Sequence, residues 1–137
     1  VSGEKGGKMT NAKNRAKKIL IIEDDEQMHI AYRSMFVDSE NEYEIELEKN
    51  ATVAYSKFKS GEFDMAILDI IMEPMSGEMF YVCARDDKDC PNIPILVVSV
   101  INHKDLEHLK KINNIQFLQK PIMEEDLMEK VKKMCGK

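Results

Sequence analysis

Two apolar runs in this 137-residue chain end in acid. Ile19-Leu20-Ile21-Ile22 leads into Glu23-Asp24-Asp25, and Met65-Ala66-Ile67-Leu68 leads into Asp69. If both runs are neighbouring strands of one parallel sheet, their carboxylates meet at its carboxyl-terminal edge, where open α/β folds place ligands. Several carboxyl oxygens crowded together repel one another, and a hard divalent cation relieves that repulsion. Mg²⁺, or Mn²⁺ in its place, suits such a site because it takes one or two carboxylates together with water and phosphate oxygens.

The chain must supply strands to carry these acids. From Lys18 onward, short apolar runs alternate with amphipathic stretches, the pattern of βα units and a parallel sheet. Residues 19–23, 65–69 and 95–99 are almost continuously apolar, as central strands covered on both faces must be. Glu44-Ile45-Glu46-Leu47-Glu48 alternates strictly and reads as an edge strand; Ile115-Gln116-Phe117-Leu118-Gln119 is mixed and also suits an edge. Five helices are expected between and after these strands. The first buries Met28, Ala31, Tyr32, Met35 and Phe36, and the second buries Val53, Ala54 and Phe58 before closing at Gly61. A third carries Met79, Phe80, Val82 and Cys83, a short fourth lies between His103 and Lys111, and a fifth carries Leu127, Val131 and Met134. The fifth opens on Glu124-Glu125-Asp126, whose charge favours a helix N-terminus. Right-handed crossovers leave few topologies for such a chain. The expected fold is a flavodoxin-like, doubly wound, five-stranded parallel sheet of order 2-1-3-4-5, which sets strands 1 and 3 side by side.

Under that order Glu23, Asp24 and Asp69 converge, and Ser99 and Lys120-Pro121 point at the same rim. The separations are 45 residues from Asp24 to Asp69, 30 from Asp69 to Ser99 and 21 from Ser99 to Lys120. Weak singly but specific jointly, these positions resemble the receiver domain of two-component response regulators, over roughly Ala16 to Met134. The resemblance implies that Asp69 is the phosphoacceptor, taking a phosphoryl group from a phosphohistidine on a histidine kinase or phosphotransfer protein. Its carboxylate is already ionised near neutral pH and needs no separate base. The resemblance also implies that Asp24 holds Mg²⁺ directly, Glu23 does so through water, and Asp69 and the main-chain carbonyl of Ile71 complete the protein's share. Lys120 and Ser99 would contact the phosphoryl oxygens, and Lys120-Pro121 matches a family dipeptide often joined by a cis bond. Phe117 occupies the aromatic position that turns inward when Ser99 is drawn to the phosphoryl group. The surface formed by the helix over 103–111, the fifth strand and the last helix would then change shape.

Asp25 falls outside the metal pair and is expected to cap the following helix. Two departures from the family pattern surround Asp69: Pro74 stands at the fifth rather than the fourth residue after it, and Val100 replaces a small residue. Ile71 and Ile101 flank the expected phosphoryl site with apolar side chains, from which a long-lived phosphorylated form is expected. Val100 and Pro74 also keep open a second reading, a degenerate receiver serving as a phosphorylation-independent interaction module. A Mg²⁺-dependent phosphatase is disfavoured because Ile71 stands where its general acid would be. The protein is thus expected to be no enzyme beyond self-catalysed phosphoryl transfer and slow autodephosphorylation.

Composition bounds the rest. Residues 1–18 carry six basic residues against Glu4 alone, net +5, so the remainder carries −10 of the formal −5 total. An acidic body does not suit direct nucleic-acid binding. Residues 1–17 read as a mobile basic tail, part of it ahead of Met9 a cloning remnant, and residues 18–137 as the receiver domain. No apolar stretch approaches the roughly 20 residues needed to span a bilayer, and no secretory signal is visible. The three cysteines, Cys83, Cys90 and Cys135, have no metal-ligand spacing, and a reducing cytoplasm is the expected setting. Cys83 is expected to be buried and the other two exposed. His29, His103 and His108 have no mutual ligand spacing and are expected in ordinary surface or boundary roles. A downstream output partner, or an output domain outside this sequence, is expected. Lys104, Glu107 and Lys111 could equally serve a homodimer.

Overall fold

The computed structural model describes residues 15–69, 77–100 and 114–135. Its core is a five-stranded sheet built from β1 (Lys17–Ile22), β2 (Tyr43–Glu48), β3 (Met65–Asp69), β4 (Ile95–Ser99) and β5 (Ile115–Gln119). All neighbours are parallel and the order is β2-β1-β3-β4-β5, as expected. The first strand begins at Lys17, inside the stretch read as tail, because the Lys17 amide donates to the Glu42 carbonyl and Lys17 pairs with Tyr43.

Four α-helices lie among the described residues: α1 (Glu26–Phe36), α2 (Ala51–Lys59), α3 (Gly77–Asp86) and α4 (Glu124–Cys135). The helix expected between His103 and Lys111 falls outside them. Because β1, β3 and β4 are covered on both sides, their alternate side chains feed two separate cores. On one face Leu20, Ile22, Ala66, Leu68, Ile95 and Val97 pack against Ala51, Ala54 and Phe58 of α2 and Phe80 and Ala84 of α3. On the other, Ile19, Ile21, Met65, Ile67, Leu96 and Val98 pack against Tyr32 and Phe36 of α1 and Leu127 and Val131 of α4. Phe80 joins α3 to α2 through edge-to-face contacts with Phe58, at 5.6 Å between centroids, and with Tyr55, at 5.5 Å.

Local chemistry sets the helix limits. Asp25 caps α1 by accepting from the Gln27 amide at 2.9 Å, as expected. Asn50 caps α2 through the amides of Thr52 and Val53. Gly61, at φ +79°, turns the chain out of α2 in the left-handed region.

Three expectations about burial are corrected. Val53 is exposed, because Ala51 rather than Val53 completes the inward stripe with Ala54 and Phe58. Val82 is likewise exposed, with Phe80 and Ala84 facing the sheet; the side chains of Met79 and Cys83 lie outside the described residues. Cys90 and Cys135 are half-buried rather than exposed. Cys90 packs against the α2–α3 core, and Cys135 Sγ reaches Met65 Sδ at 3.4 Å.

Candidate phosphoryl-acceptor site

Glu23, Asp24, Asp69, Ser99 and Lys120 all lie at the carboxyl-terminal edge of the sheet. Glu23 directly follows β1, and its amide donates to the Glu48 carbonyl at 3.0 Å, so the ladder with β2 holds the start of the acidic loop. Asp69 is the last residue of β3, paired in register with Val98 of β4. Ser99 closes β4, and its carbonyl accepts from the Lys120 amide at 2.8 Å. Lys120 follows β5 and is joined to Pro121 by a cis peptide bond, the isomer expected.

The strand ends bring three acids together. Carboxylate oxygens of Glu23, Asp24 and Asp69 all lie within 4.8 Å of one another. Glu23, Asp69 and Ser99 are buried, whereas Asp24 is exposed and faces solvent. Lys120 Nζ reaches into the cluster, 3.1 Å from Glu23 Oε1 and 3.4 Å from Asp69 Oδ2. Burial works against the lysine's charge, yet the two carboxylates outweigh it and hold the ammonium above the usual lysine range. The Glu23 carboxyl is pushed up to about 7, first by burial, then by hydrogen bonding with Asp69 and by the Asp69 charge. Lys120 offsets this only in part. Beneath the site Tyr32, 1% exposed, keeps its proton, because burial and then the charges of Glu23 and Asp69 push its hydroxyl far above the tyrosine range.

This donor set fits a hard divalent cation. Among the described residues it offers carboxylate oxygens, one of them accessible on Asp24, and it contains a carboxyl that the protein alone does not fully ionise at neutral pH. The Ile71 carbonyl expected among the ligands lies outside the described residues, as do Pro74 and Ile101. Phe117 already sits inward, buried in the core beside Val97, its partner in the β4–β5 register. Val100 is 62% exposed and borders an apolar cleft of about 460 Å³ with Met28, Ala31, Met35, Lys120, Pro121 and Ile122.

His29 is the site-facing residue that sequence reasoning missed. It is buried rather than at the surface, with Nε2 2.5 Å from the main-chain oxygen of Glu23. Its position on α1, three residues before Tyr32 and seven before Phe36, was the available signal.

A sheet of order 2-1-3-4-5 with acids and a lysine at its switch point defines an open α/β domain whose site lies between strands 1 and 3. More specifically, the chain belongs to the response regulator receiver domain family, whose model matches residues 19–132. It is 26% identical over 113 residues to the heme response regulator HssR of Staphylococcus saprophyticus. That match covers 82% of this chain but 49% of the relative, so the chain spans about half the length of the curated protein it matches. Among solved structures it is similar to chemotaxis protein CheY4 of Vibrio cholerae, with a TM-score of 0.75 at 22% identity over 87% of this chain and 98% of that one. It is also similar to the receiver domain of the sensor histidine kinase PA1611 of Pseudomonas aeruginosa, with a TM-score of 0.77 at 17% identity, covering 89% and 99% of the two chains. The latter structure holds a magnesium ion in its active site cleft.

Proposed function

We propose that this receiver domain, residues 18–137, takes a phosphoryl group onto Asp69 from a phosphohistidine donor and so reports the state of a histidine kinase or phosphotransfer protein. The observation that carries this reading is the Lys120 ammonium shared between Glu23 and Asp69 at one strand edge. An Asp69 carboxylate oxygen attacks the phosphorus. The P–N bond breaks, and its electron pair leaves on the donor imidazole, which is protonated as it departs. Lys120 already stands within reach of Asp69 and can follow the transferred charge, exchanging one carboxylate for a phosphoryl oxygen. Ser99 occupies the end of the neighbouring strand, from which its hydroxyl can donate to another oxygen. A divalent cation held by Asp24, Glu23 and Asp69 would neutralise the charge gathering on the phosphoryl oxygens.

The apolar cleft opens beside Lys120. That placement suits a donor protein that brings its histidine in over Met28, Met35 and Ile122. Within the domain, the readout would run from Ser99 through the β4–β5 pairing to Phe117, and so to an output partner or an output domain elsewhere in a longer protein.

Incubation with Mg²⁺ and acetyl phosphate, followed by intact mass measurement, tests the reading. A phosphoryl adduct on the wild type that is absent from Asp69→Asn supports it. The absence of any adduct would instead favour the interaction module without phosphorylation.

A further inference from the structure

His29 takes no part in the chemistry described above, yet its side chain is as buried as those of the core. Its exposure is 2%. Its Nε2 lies 2.5 Å from the Glu23 carbonyl oxygen. A carbonyl can only accept, so Nε2 carries the proton and donates it. The backbone of His29 makes a second tie, its amide donating to the Asp25 carbonyl at 3.1 Å. The remaining ring nitrogen, Nδ1, faces Glu26 Oε1 at 4.0 Å on the solvent side.

The carbonyl held by the ring belongs to the peptide unit that joins Glu23 to Asp24. Rotating that unit would swing the Asp24 Cα and carboxylate relative to Glu23 and Asp69. Elsewhere in the loop the Glu23 amide is held by the Glu48 carbonyl, and the Asp25 amide lies 3.3 Å from Glu23 Oε2. The last of these uses an oxygen of a carboxylate that is itself part of the acid cluster. Among the described residues, His29 is the side chain outside the cluster that holds the Glu23–Asp24 peptide.

We infer that His29 is a positioning residue, which holds Glu23 and Asp24 in cation-binding geometry through their shared peptide. The inference rests on reading these two acids as cation-holding. Hydrogen-bonding groups one layer behind metal ligands commonly govern affinity by about 10- to 100-fold.

The test separates position from packing. His29→Leu fills much of the ring's volume without a donor, whereas His29→Gln keeps a donor on a side chain of similar reach. Mg²⁺ affinity is measured by calorimetry on the full chain, with melting temperatures recorded alongside. His29→Leu is expected to bind Mg²⁺ about tenfold more weakly, and His29→Gln to recover most of that loss even if both variants melt at the same temperature. Wild-type affinity in a folded His29→Leu overturns the inference and leaves the reading of the acids intact. A wild type that binds no Mg²⁺, matching Asp24→Asn, overturns both. Should His29→Leu fail to fold, ¹⁵N imidazole spectra of the wild type decide. A slowly exchanging Nε2 proton whose resonance moves on Mg²⁺ addition is expected, and a ring proton that exchanges freely or ignores Mg²⁺ overturns the inference.

Discussion

Lys120 Nζ stands 3.1 Å from Glu23 Oε1, so the cation that follows β5 rests on a carboxyl that follows β1, across the two strands between them. The ammonium also lies 3.4 Å from Asp69, so it neutralises two of the acids that would hold a divalent cation. Two functions attributed to this lysine, neutralising the acids and contacting the phosphoryl group, thus compete for one side chain.

Lys120→Met should therefore have opposite effects on binding and on transfer. Removing the ammonium leaves Glu23 and Asp69 uncompensated, which should cost the metal-free protein about 1–3 kcal/mol, less than a fully buried pair because Glu23 can take up a proton. Mg²⁺ should bind more tightly than to wild type, while phosphoryl transfer from acetyl phosphate slows. Calorimetry and timed mass measurement check the two halves, and weaker Mg²⁺ binding in this variant would contradict the competition.

Glu23 makes stability depend on pH in a direction opposite to an ordinary paired carboxylate. Its folded-state value, about 7, lies above the 4.5 of the unfolded chain. Between those values the folded form binds the extra proton, so this group's contribution to stability falls as pH rises from about 4.5 to about 7 and stays low above. With chelator present, Glu23→Gln should gain on wild type as pH is raised from 5 to 7.5, read as urea midpoints. A constant difference across that range would show that Glu23 titrates normally.

Asp25 caps α1, whereas the task proposed for its neighbour Asp24 is to hold the cation. Asp25→Ala loses the cap of α1 and should cost about 1 kcal/mol, with Mg²⁺ binding preserved in the folded protein. Asp24→Asn should do the reverse, leaving denaturation in chelator near wild type and lowering Mg²⁺ affinity by tenfold or more, an order of magnitude consistent with losing one anionic ligand. Equal losses of Mg²⁺ affinity in the two variants would refute this division.

Val100 borders the cleft beside Lys120 and is largely exposed, so it can be trimmed at little cost to the core. Val100→Ala is expected to change stability by less than about 0.5 kcal/mol and to speed acceptance from acetyl phosphate severalfold. An unchanged rate would mean that its bulk does not limit entry.

Much of this arrangement was legible in the residues because parallel central strands write themselves as unbroken apolar runs. Ile19–Ile22, Met65–Leu68 and Ile95–Val98 were unmistakable, and an acid or serine at the end of such a run has one place to go. Helix faces were less legible. Ala51 and Val53 compete for the same stripe of α2, and the smaller residue faces inward because the stripe through Ala54 and Phe58 passes through position 51. His29 was hidden for a related reason. A polar residue on an apolar face can satisfy itself on a carbonyl six residues back only through a turn that the sequence does not specify. Cys135 looks exposed at the end of its helix until Met65 is placed against it, and Cys90 looks exposed until its loop is packed on the α2–α3 core.

At the far edge of the sheet, β2 presents Glu44, Glu46 and Glu48 at alternate positions, the latter two each 2.8 Å from Lys57. An open strand edge is a template for another molecule's backbone, and like charges spaced along it resist that pairing. The domain thus carries its own protection against edge-to-edge aggregation on the side away from β5. That protection should weaken in acid, as the glutamates lose their charge, and in concentrated salt, as repulsion is screened.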